Sequence, residues 1–317
     1  MTDVAVDLGL HAVVVTVREN VPLVLTLPAG TGRASLPFGP FDPAQHRTME
    51  AGLRDWVSQQ ASLALGYVEQ LYTFGDRGRL AAGESDGRHT VAVGYLALTH
   101  HDAAPHYDGR TDWRAWYDHF PWEDWRGGSP PMLEEALLPA MQRWVDAAPD
   151  TVSPGGLTRS ARFVLAFGNS RDGWDDERVL ERYELMYEAG LVDEARRDGL
   201  AAADGSPTFG VAMAQDHRRI LATALARLRA KLKYRPLVFE LLPDVFTLTR
   251  LQRTVEALTG RTLHTQNFRR LVERAELVES TGTTEADTGG RPAANYRFRR
   301  TVRGERPAPG LRIGARG

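Results

Sequence analysis

The last quarter of the chain contains two short amphipathic segments, a polar loop and a basic hairpin, and this order permits few folds. Thr247 can cap a first helix, because its hydroxyl can accept a bond from an otherwise unpaired backbone N–H. Leu251, Val255 and Leu258 then recur at helical spacing, and Gly260 can adopt the left-handed conformation that ends a helix. A first helix is therefore predicted from about residue 248 to 259.

A second helix is predicted to begin four residues later, at about His264 or Thr265. Its apolar stripe consists of Phe268, Leu271, Val272 and Ala275. The opposite face carries the polar side chains Gln266, Asn267, Arg269, Arg270 and Arg274. Arg can bond guanine bidentately, and Gln or Asn can do the same for adenine. The face centred on Gln266 and Arg270 is therefore predicted to read base edges.

The hairpin after this helix is predicted to be a wing. In the returning strand Tyr296 and Phe298 alternate with Arg297 and Arg299, so the aromatic rings are expected to face inward and the cations outward. Arg291, Arg297 and Arg299 are predicted phosphate contacts, which position a protein without specifying sequence. Together these elements predict a winged helix-turn-helix, a DNA-binding module. The alternative is a solvated amphipathic helix pair with no nucleic-acid partner.

The distribution of charge favours the first interpretation. From Lys231 to Gly317 there are 17 Lys and Arg against 9 Asp and Glu, a net charge of +8, whereas residues 1–230 have 22 against 32, a net charge of −10. Positive charge concentrated in one module of a near-neutral chain is typical of nucleic-acid binding. The chain has no cysteine, which excludes disulfides. No apolar run approaches the ~20 residues of a membrane span, so a cytoplasmic protein with no membrane partner is expected.

The upstream part reads as a mixed α/β domain. Apolar runs predict strands over 10–17, 22–27, 67–74, 89–98 and 162–167. Asp42 and Pro43 predict the start of a helix whose buried stripe includes Leu53 and Val57. Four tryptophans between residues 113 and 125 predict either a lid or, more simply, aromatic packing in the core.

A long helix is predicted from Met213 to Leu232. Leu221, Leu225, Leu228 and Leu232 repeat along it with heptad-like spacing. This stripe predicts a homodimer contact or, alternatively, packing against its own domain.

Several motifs carry a resemblance to a known family. YRPLVFELLPDVFTLTRLQ, NFRRLVE and GRPAANYRF, with GPFDPAQHRTMEAGLRDWV upstream, resemble the Nudix-related, NrtR-like transcriptional regulators of NAD metabolism, and within them the NadQ-type branch. The resemblance implies a Nudix-like α/β/α sandwich followed by the winged helix-turn-helix. It implies a sensor domain over 1–210 with an insert around 100–160, a linker or dimerisation helix over 211–233, a DNA-binding domain over 234–302 and a flexible tail over 303–317.

The same resemblance implies that a Nudix helix would hold magnesium through paired glutamates. Gln59 and Gln60 stand where that pair is expected, and the remaining acids Glu50 and Asp55 lie about 140° apart around the helix. The sequence therefore predicts no metal site, no catalytic residues and no enzyme. An effector site is predicted at Arg77, Arg79 and Phe41, with NAD, ADP-ribose or ATP as the effector and no required cofactor. The alternative is that these arginines are loop charges paired with neighbouring acids.

The leading hypothesis is a ligand-responsive repressor of NAD biosynthesis or salvage genes, which binds a near-palindromic double-stranded DNA operator as a homodimer. The main alternative is an active Nudix pyrophosphatase acting on ADP-ribose or a related nucleotide. A third possibility is a nucleotide sensor that acts through protein partners.

Overall fold

The computed structural model describes residues 6–30, 32–76, 89–100, 111–168, 173–200, 202, 205–285, 292–305 and 310–311. The strands are β1 (Val6–Arg18), β2 (Val21–Pro28), β3 (Ala34–Ser35), β4 (Phe38–Pro40), β5 (Tyr67–Phe74), β6 (His89–Leu98), β7 (Asp112–Ala115), β8 (Phe246–Thr247), β9 (Val278–Glu285) and β10 (Ala293–Phe298). The α-helices are α1 (Met49–Ala61), α2 (Trp116–His119), α3 (Leu138–Asp146), α4 (Arg159–Phe167), α5 (Val179–Glu188), α6 (Asp193–Arg197), α7 (His217–Leu232), α8 (Leu248–Thr259), α9 (Thr265–Ala275) and α10 (Val302–Glu305). A π-helix (Leu133–Leu137) leads into α3.

The larger sheet has the strand order β3-β2-β1-β6-β5, with β4 paired to β1 and β7 paired to β2. Its central pair, β1 and β6, is parallel, whereas β2 and β5 are antiparallel to their neighbours. Side chains of β1 alternate between two buried clusters, as the strand pleat requires. Leu10, Ala12 and Val14 pack with α1, and Val13, Val15 and Val17 pack in the cluster that contains α7. The sheet is therefore covered on both faces, which gives the predicted α/β/α layers.

The helices α2–α6 extend the cluster on the α7 side. Trp116 and Trp122 are completely buried there, and Trp125 is partly buried against the same core. The tryptophan-rich segment is thus core packing, the simpler of the two alternatives. Among the described residues, no helix combines the length and the apolar character that crossing a membrane requires.

The C-terminal module is a winged helix, as predicted. β8, β10 and β9 form its antiparallel sheet, and α8 and α9 are its two helices. Thr247 Oγ1 accepts a bond from Arg250 N at 3.2 Å, and Gly260 ends α8 with φ of 71°. Phe298 of β10 stacks on Phe239 with ring centroids 4.4 Å apart, so the aromatic side of the wing faces inward.

The helix start predicted at Asp42 and Pro43 is wrong. Asp42 instead forms a turn in which its carboxylate accepts from Ala44 N and its carbonyl from His46 N. α1 begins at Met49, where the extended Thr48 caps the helix by accepting from Ala51 N at 3.1 Å. Asp and Thr both suit an N-cap, and only the packing of the following apolar stripe selected the second.

The strand predicted over 162–167 is also wrong, because Arg159–Phe167 is the helix α4. Its β-branched and aromatic residues favour a strand locally. Thr158 caps the helix by accepting from Ala161 N, while Ala166 and Phe167 bury against the core. Tertiary packing therefore overrides the local preference.

Of the two alternatives predicted for the leucine stripe of α7, a homodimer contact and packing within its own domain, the structure supports the second. Within one chain, Leu221, Leu225, Leu228 and Leu232 of α7 are 0–1% exposed. The helix packs against β1, β5 and β6 and against α5. The leucine stripe is therefore part of the chain's own core, the alternative stated above, and it is not available to a second copy.

Candidate nucleic-acid interface and effector site

The predicted base-reading residues share one exposed surface of α9. Gln266, Asn267, Arg269, Arg270 and Arg274 are all exposed. At 100° per residue they span about 160° of the helix. The opposite side is held by two buried side chains, Phe268 at 3% and Val272 at 0% exposure. These anchors fix the rotation of α9, so the polar face points to solvent as a unit.

The cations of the wing differ in their surroundings. Arg297 is 63% exposed and its Nε donates to Glu279 Oε1 across the hairpin at 2.6 Å. Arg299 is less exposed, and its Nε donates to the Glu276 carbonyl at 2.9 Å, where α9 ends. Arg299 therefore connects the wing to the C-terminal end of α9 by a hydrogen bond. Arg291 lies outside the described residues.

The two glutamines of α1 also differ. Gln59 is exposed, whereas Gln60 is bonded twice to the backbone of β4: its Nε2 donates to Phe38 O at 2.8 Å and its Oε1 accepts from Phe38 N at 3.1 Å. A carboxylate could make only the second bond. Glu50 is paired with Arg54 at 2.9 Å. Within the described residues, the group of three acids close enough to share a metal ion lies at 175–177 and not on α1.

Of the predicted effector residues, Arg77 and Arg79 lie outside the described residues. Phe41 is half-buried, and its backbone N–H bonds to Leu8 O at 2.8 Å. The residue immediately before the predicted loop, Asp76, pairs with Arg219 of α7 at 2.5 Å. The segment that leads into the loop is therefore attached to α7.

The other end of α7 contacts the winged helix at a surface that sequence reasoning missed. Tyr117 Oη donates to Ala257 O at 2.7 Å, Arg229 Nε to Leu258 O at 3.0 Å, and Trp125 N to Gly260 O at 2.7 Å. These three carbonyls at the end of α8 would otherwise lack helical partners. We call these contacts, with Glu123, the domain interface.

Gly260 is required at this position for two reasons. Its φ of 71° is strained for any residue with a side chain, and a Cβ would lie 2.3 Å from the Glu123 carbonyl. The turn between α8 and α9 therefore packs directly against the N-terminal domain at Glu123.

Glu123 is the centre of the domain interface. It is buried and bonds both to Arg182, at 2.7 and 3.0 Å, and to Arg229, at 2.7 Å. Burial alone would raise the pKa of Glu123, but the two guanidinium groups outweigh burial and hold this pKa below its ordinary value. The carboxylate is thus charged and paired. The sequence feature that could have indicated this buried ion pair is Arg229, a cation that follows directly after Leu228 in the leucine stripe of α7.

The comparisons with known proteins agree with this architecture. Residues 238–298 match the family model described as the NrtR DNA-binding winged helix domain. The C-terminal winged helix is therefore similar to that of NrtR. A curated relative, the ADPR responsive transcriptional repressor NtrR of Acinetobacter baylyi, is 41% identical over 86 residues. That match covers 27% of this chain and about a third (34%) of the relative.

Solved structures extend the similarity to the whole NrtR-like fold. The Shewanella oneidensis NrtR complexed with a 27mer DNA covers 93% of this chain and 94% of its own, with 20% identity and a TM-score of 0.57. A MutT/nudix family protein from Enterococcus faecalis covers 92% of this chain and 86% of its own, with 14% identity and a TM-score of 0.51. The fold of the chain is therefore similar to a Nudix-like domain followed by a winged helix.

Proposed function

We propose that this protein is a nucleotide-responsive transcriptional repressor that binds double-stranded DNA through its NrtR-type winged helix. The observation that carries the proposal is the exposed face of α9, where Gln266 and Arg270 stand among further polar side chains on a helix anchored by Phe268 and Val272. These side-chain types can read adenine and guanine in the major groove.

The proposed effector is an NAD-related adenine nucleotide, namely NAD, ADP-ribose or ATP, and the proposed targets are genes of NAD biosynthesis or salvage. The curated relative, which is described as ADPR responsive, supports this choice. We place the effector site near Arg77 and Arg79, because two guanidinium groups suit phosphate recognition.

Helix α7 is the proposed route from the effector to the DNA. Arg219 pairs with Asp76, next to the proposed effector loop, and ten residues later Arg229 bonds to the end of α8. Ten helical residues span about 15 Å. A movement of the effector loop could therefore be transmitted to the winged helix through α7, a single rigid helix. The effector must bind the two states with different affinities, and a coupling of about 5- to 150-fold is usual.

We propose further that the Nudix-like domain senses without hydrolysing. Gln60 is engaged with the backbone of β4, and the acid Glu50 on the same helix is paired with Arg54. A Nudix pyrophosphatase needs closely spaced carboxylates to hold its metal ion. Incubation with ADP-ribose and Mg²⁺ should release no mononucleotide above background, and metal-dependent turnover by pure protein would contradict this part of the proposal.

A homodimer on a near-palindromic operator is part of the proposal, since two recognition helices then meet two half-sites. The leucines of α7 do not form its interface, because they are buried within one chain. Sedimentation velocity at micromolar concentration, with and without operator, tests the dimer, and a monomer in both conditions would exclude it.

The function itself is tested by fluorescence anisotropy on the upstream region of the protein's own operon and on random DNA. Arg270→Ala should cost about 1–3 kcal/mol on the cognate site and much less on random DNA. Glu273→Ala, also exposed on α9, is the matched control and should not weaken binding. Equal weakening of both DNAs by Arg270→Ala would exclude base readout by this face.

The effector is tested on the same operator by titrating NAD, ADP-ribose and ATP. One of them should shift operator affinity, and Arg77→Ala should abolish the shift while preserving nucleotide-free binding. If no nucleotide moves the curve, or if Arg77→Ala responds fully, the effector assignment fails and the DNA-binding assignment is unaffected.

A further inference from the structure

The C-terminal end of the chain packs against the end of α7. Leu311 is 1% exposed and belongs to the same core cluster as the leucines of α7. Its backbone N–H donates to the Leu232 carbonyl at 3.2 Å. The flexible tail predicted over 303–317 therefore does not include Gly310 and Leu311, which are both buried.

The carbonyl that Leu311 contacts is one that α7 itself leaves without a partner. Leu232 is the last residue of α7, and the carbonyls in the last turn of a helix have no intrahelical donor. Leu311 therefore contributes twice at this point: its side chain is buried in the apolar core, and its N–H pairs with the end of the helix.

Gly310 lies against the chain where it leaves α7. A Cβ at this position would be 2.2 Å from the N and Cα atoms of Tyr234 and 2.3 Å from the carbonyl carbon of Lys233. These are backbone atoms, which cannot move aside as the end of a flexible side chain can. The approach therefore requires glycine, the residue that allows two backbones to come this close.

The winged helix is thereby attached to α7 at both of its ends. The chain enters the module after Leu232 and returns to the same residue at Leu311, after β10 and α10. α10 is held as well, since Val302 is completely buried and its N–H donates to the Arg299 carbonyl at 3.2 Å. A module attached at one end alone could rotate about the connecting residues. Here such a rotation requires Leu311 to leave its buried site.

We propose that Gly310 and Leu311 are positioning residues that fix the orientation of the winged helix, and with it the polar face of α9, relative to α7. Neither residue needs to touch DNA for this role. The inference rests on the proposed function and deepens it, because an operator with two half-sites requires recognition helices that are presented in a fixed geometry. Without the attachment, each winged helix should still bind DNA but should fit paired half-sites less well.

The attachment is tested first without DNA, by distances between spin labels on the full chain. The chain has no native cysteine, so Arg227→Cys on α7 and Glu273→Cys on α9, both at exposed positions, can be labelled selectively. Dilution with unlabelled protein restricts the measured distances to one chain. Pulsed electron paramagnetic resonance should give a single narrow distance distribution, which Leu311→Ala and Gly310→Ala should broaden or shift.

Gly304→Ala is the matched control, because its added Cβ would meet nothing within 4 Å. It should leave the distance distribution unchanged. An unchanged distribution in both Leu311→Ala and Gly310→Ala would overturn the proposal.

Two DNA substrates then distinguish positioning from a loss of stability. Leu311→Ala should weaken binding to the complete operator by at least about 5-fold, the lower end of the usual range for coupling, and should leave the affinity for a single half-site unchanged. Leu311→Met, which approximately conserves the side-chain volume, should restore the wild-type affinity for the operator. Equal weakening of both DNAs by Leu311→Ala would indicate a destabilised module and would contradict the positioning role.

The two experiments separate this inference from the proposed function. If the wild-type chain binds neither DNA, the proposed function fails, and the spin-label distances alone decide whether Leu311 holds the winged helix. If the wild-type chain and Leu311→Ala bind the operator equally well, the proposed function stands and the positioning role is excluded.

Discussion

Arg229 Nη1 donates to Glu123 Oε2 at 2.7 Å, and both side chains are buried where the N-terminal domain meets the winged helix. Arg182 bonds the same carboxylate from the other side, and Arg229 also donates to the Leu258 carbonyl of α8. A single buried carboxylate thus joins helices of the N-terminal domain to helix α8 of the winged helix.

The first prediction concerns this pair. Arg229→Met should lower the free energy of unfolding by about 3 kcal/mol, because it removes one partner of a buried charge and the five hydrogen bonds that Arg229 donates. Arg227→Met, exposed on the same helix, should change stability by less than about 0.5 kcal/mol. Urea unfolding curves provide the measurement. Equal midpoints for the two variants would show that the pair does not stabilise the interface.

The second prediction concerns acid stability. His11 Nδ1 and His217 Nε2 are 3.0 Å apart and buried, and Leu36 N donates to His217 Nδ1 at 2.9 Å. His217 is therefore neutral and donates to His11. Burial lowers the pKa of His11 to about 4, and burial together with the nearby His11 lowers the pKa of His217 well below 6.5.

The unfolded chain takes up protons at these histidines below pH 6.5, whereas the folded chain does not protonate His11 until about pH 4, because burial lowers the pKa of His11. Stability should accordingly fall as pH decreases through this window, by on the order of 3 kcal/mol for one such group. His11→Gln, which can still accept from His217, should make the dependence shallower. His264→Gln, at an exposed position, is the control. Free energies of unfolding measured from pH 7 to 4 would refute this account if wild type and His11→Gln have the same slope.

The third prediction concerns Gln60, which stands where the family resemblance predicts a glutamate. Gln60→Glu should lower stability by about 1–2 kcal/mol, since a carboxylate cannot donate to Phe38 O and would lie against it. Gln59→Glu, at an exposed position, should be nearly neutral. Thermal unfolding distinguishes the two variants. An unchanged melting temperature for Gln60→Glu would show that the two hydrogen bonds from Gln60 to β4 contribute little to stability. The variant that carries both Gln59→Glu and Gln60→Glu should still lack Mg²⁺-dependent hydrolysis of ADP-ribose.

The fourth prediction concerns the wing. Arg297→Ala should weaken cognate and random DNA alike and reduce the slope of log affinity against log salt by about 1, as expected for one phosphate contact. Arg299→Ala should do the same and also destabilise the module, because Arg299 donates to the Glu276 carbonyl at the end of α9. Anisotropy titrations at several salt concentrations check both. An unchanged slope for Arg297→Ala would place this cation outside the DNA contact.

The sequence by itself determined the winged helix almost completely. Its signals are local: the Thr247 cap, the Gly260 stop, the apolar stripe of α9 and the alternation in β10 all act within a few residues. It also predicted β5 and β6 to the residue, since β-branched runs bounded by polar or glycine-containing segments need no distant partner to be recognised.

Only the tertiary structure decided the roles of residues that depend on distant contacts. The leucines of α7 have a spacing that fits a dimer or a core equally well, and the sheet beneath them selected the core. Thr158 caps helix α4, whereas Asp42 forms a turn. The packing of the residues that follow each of them decides between these two roles. The domain interface is the clearest case, because Glu123 and Arg229 are 106 residues apart and no local pattern relates them. Burying a charge is costly unless a partner is supplied, and that partner is fixed by the fold and not by neighbours in the chain.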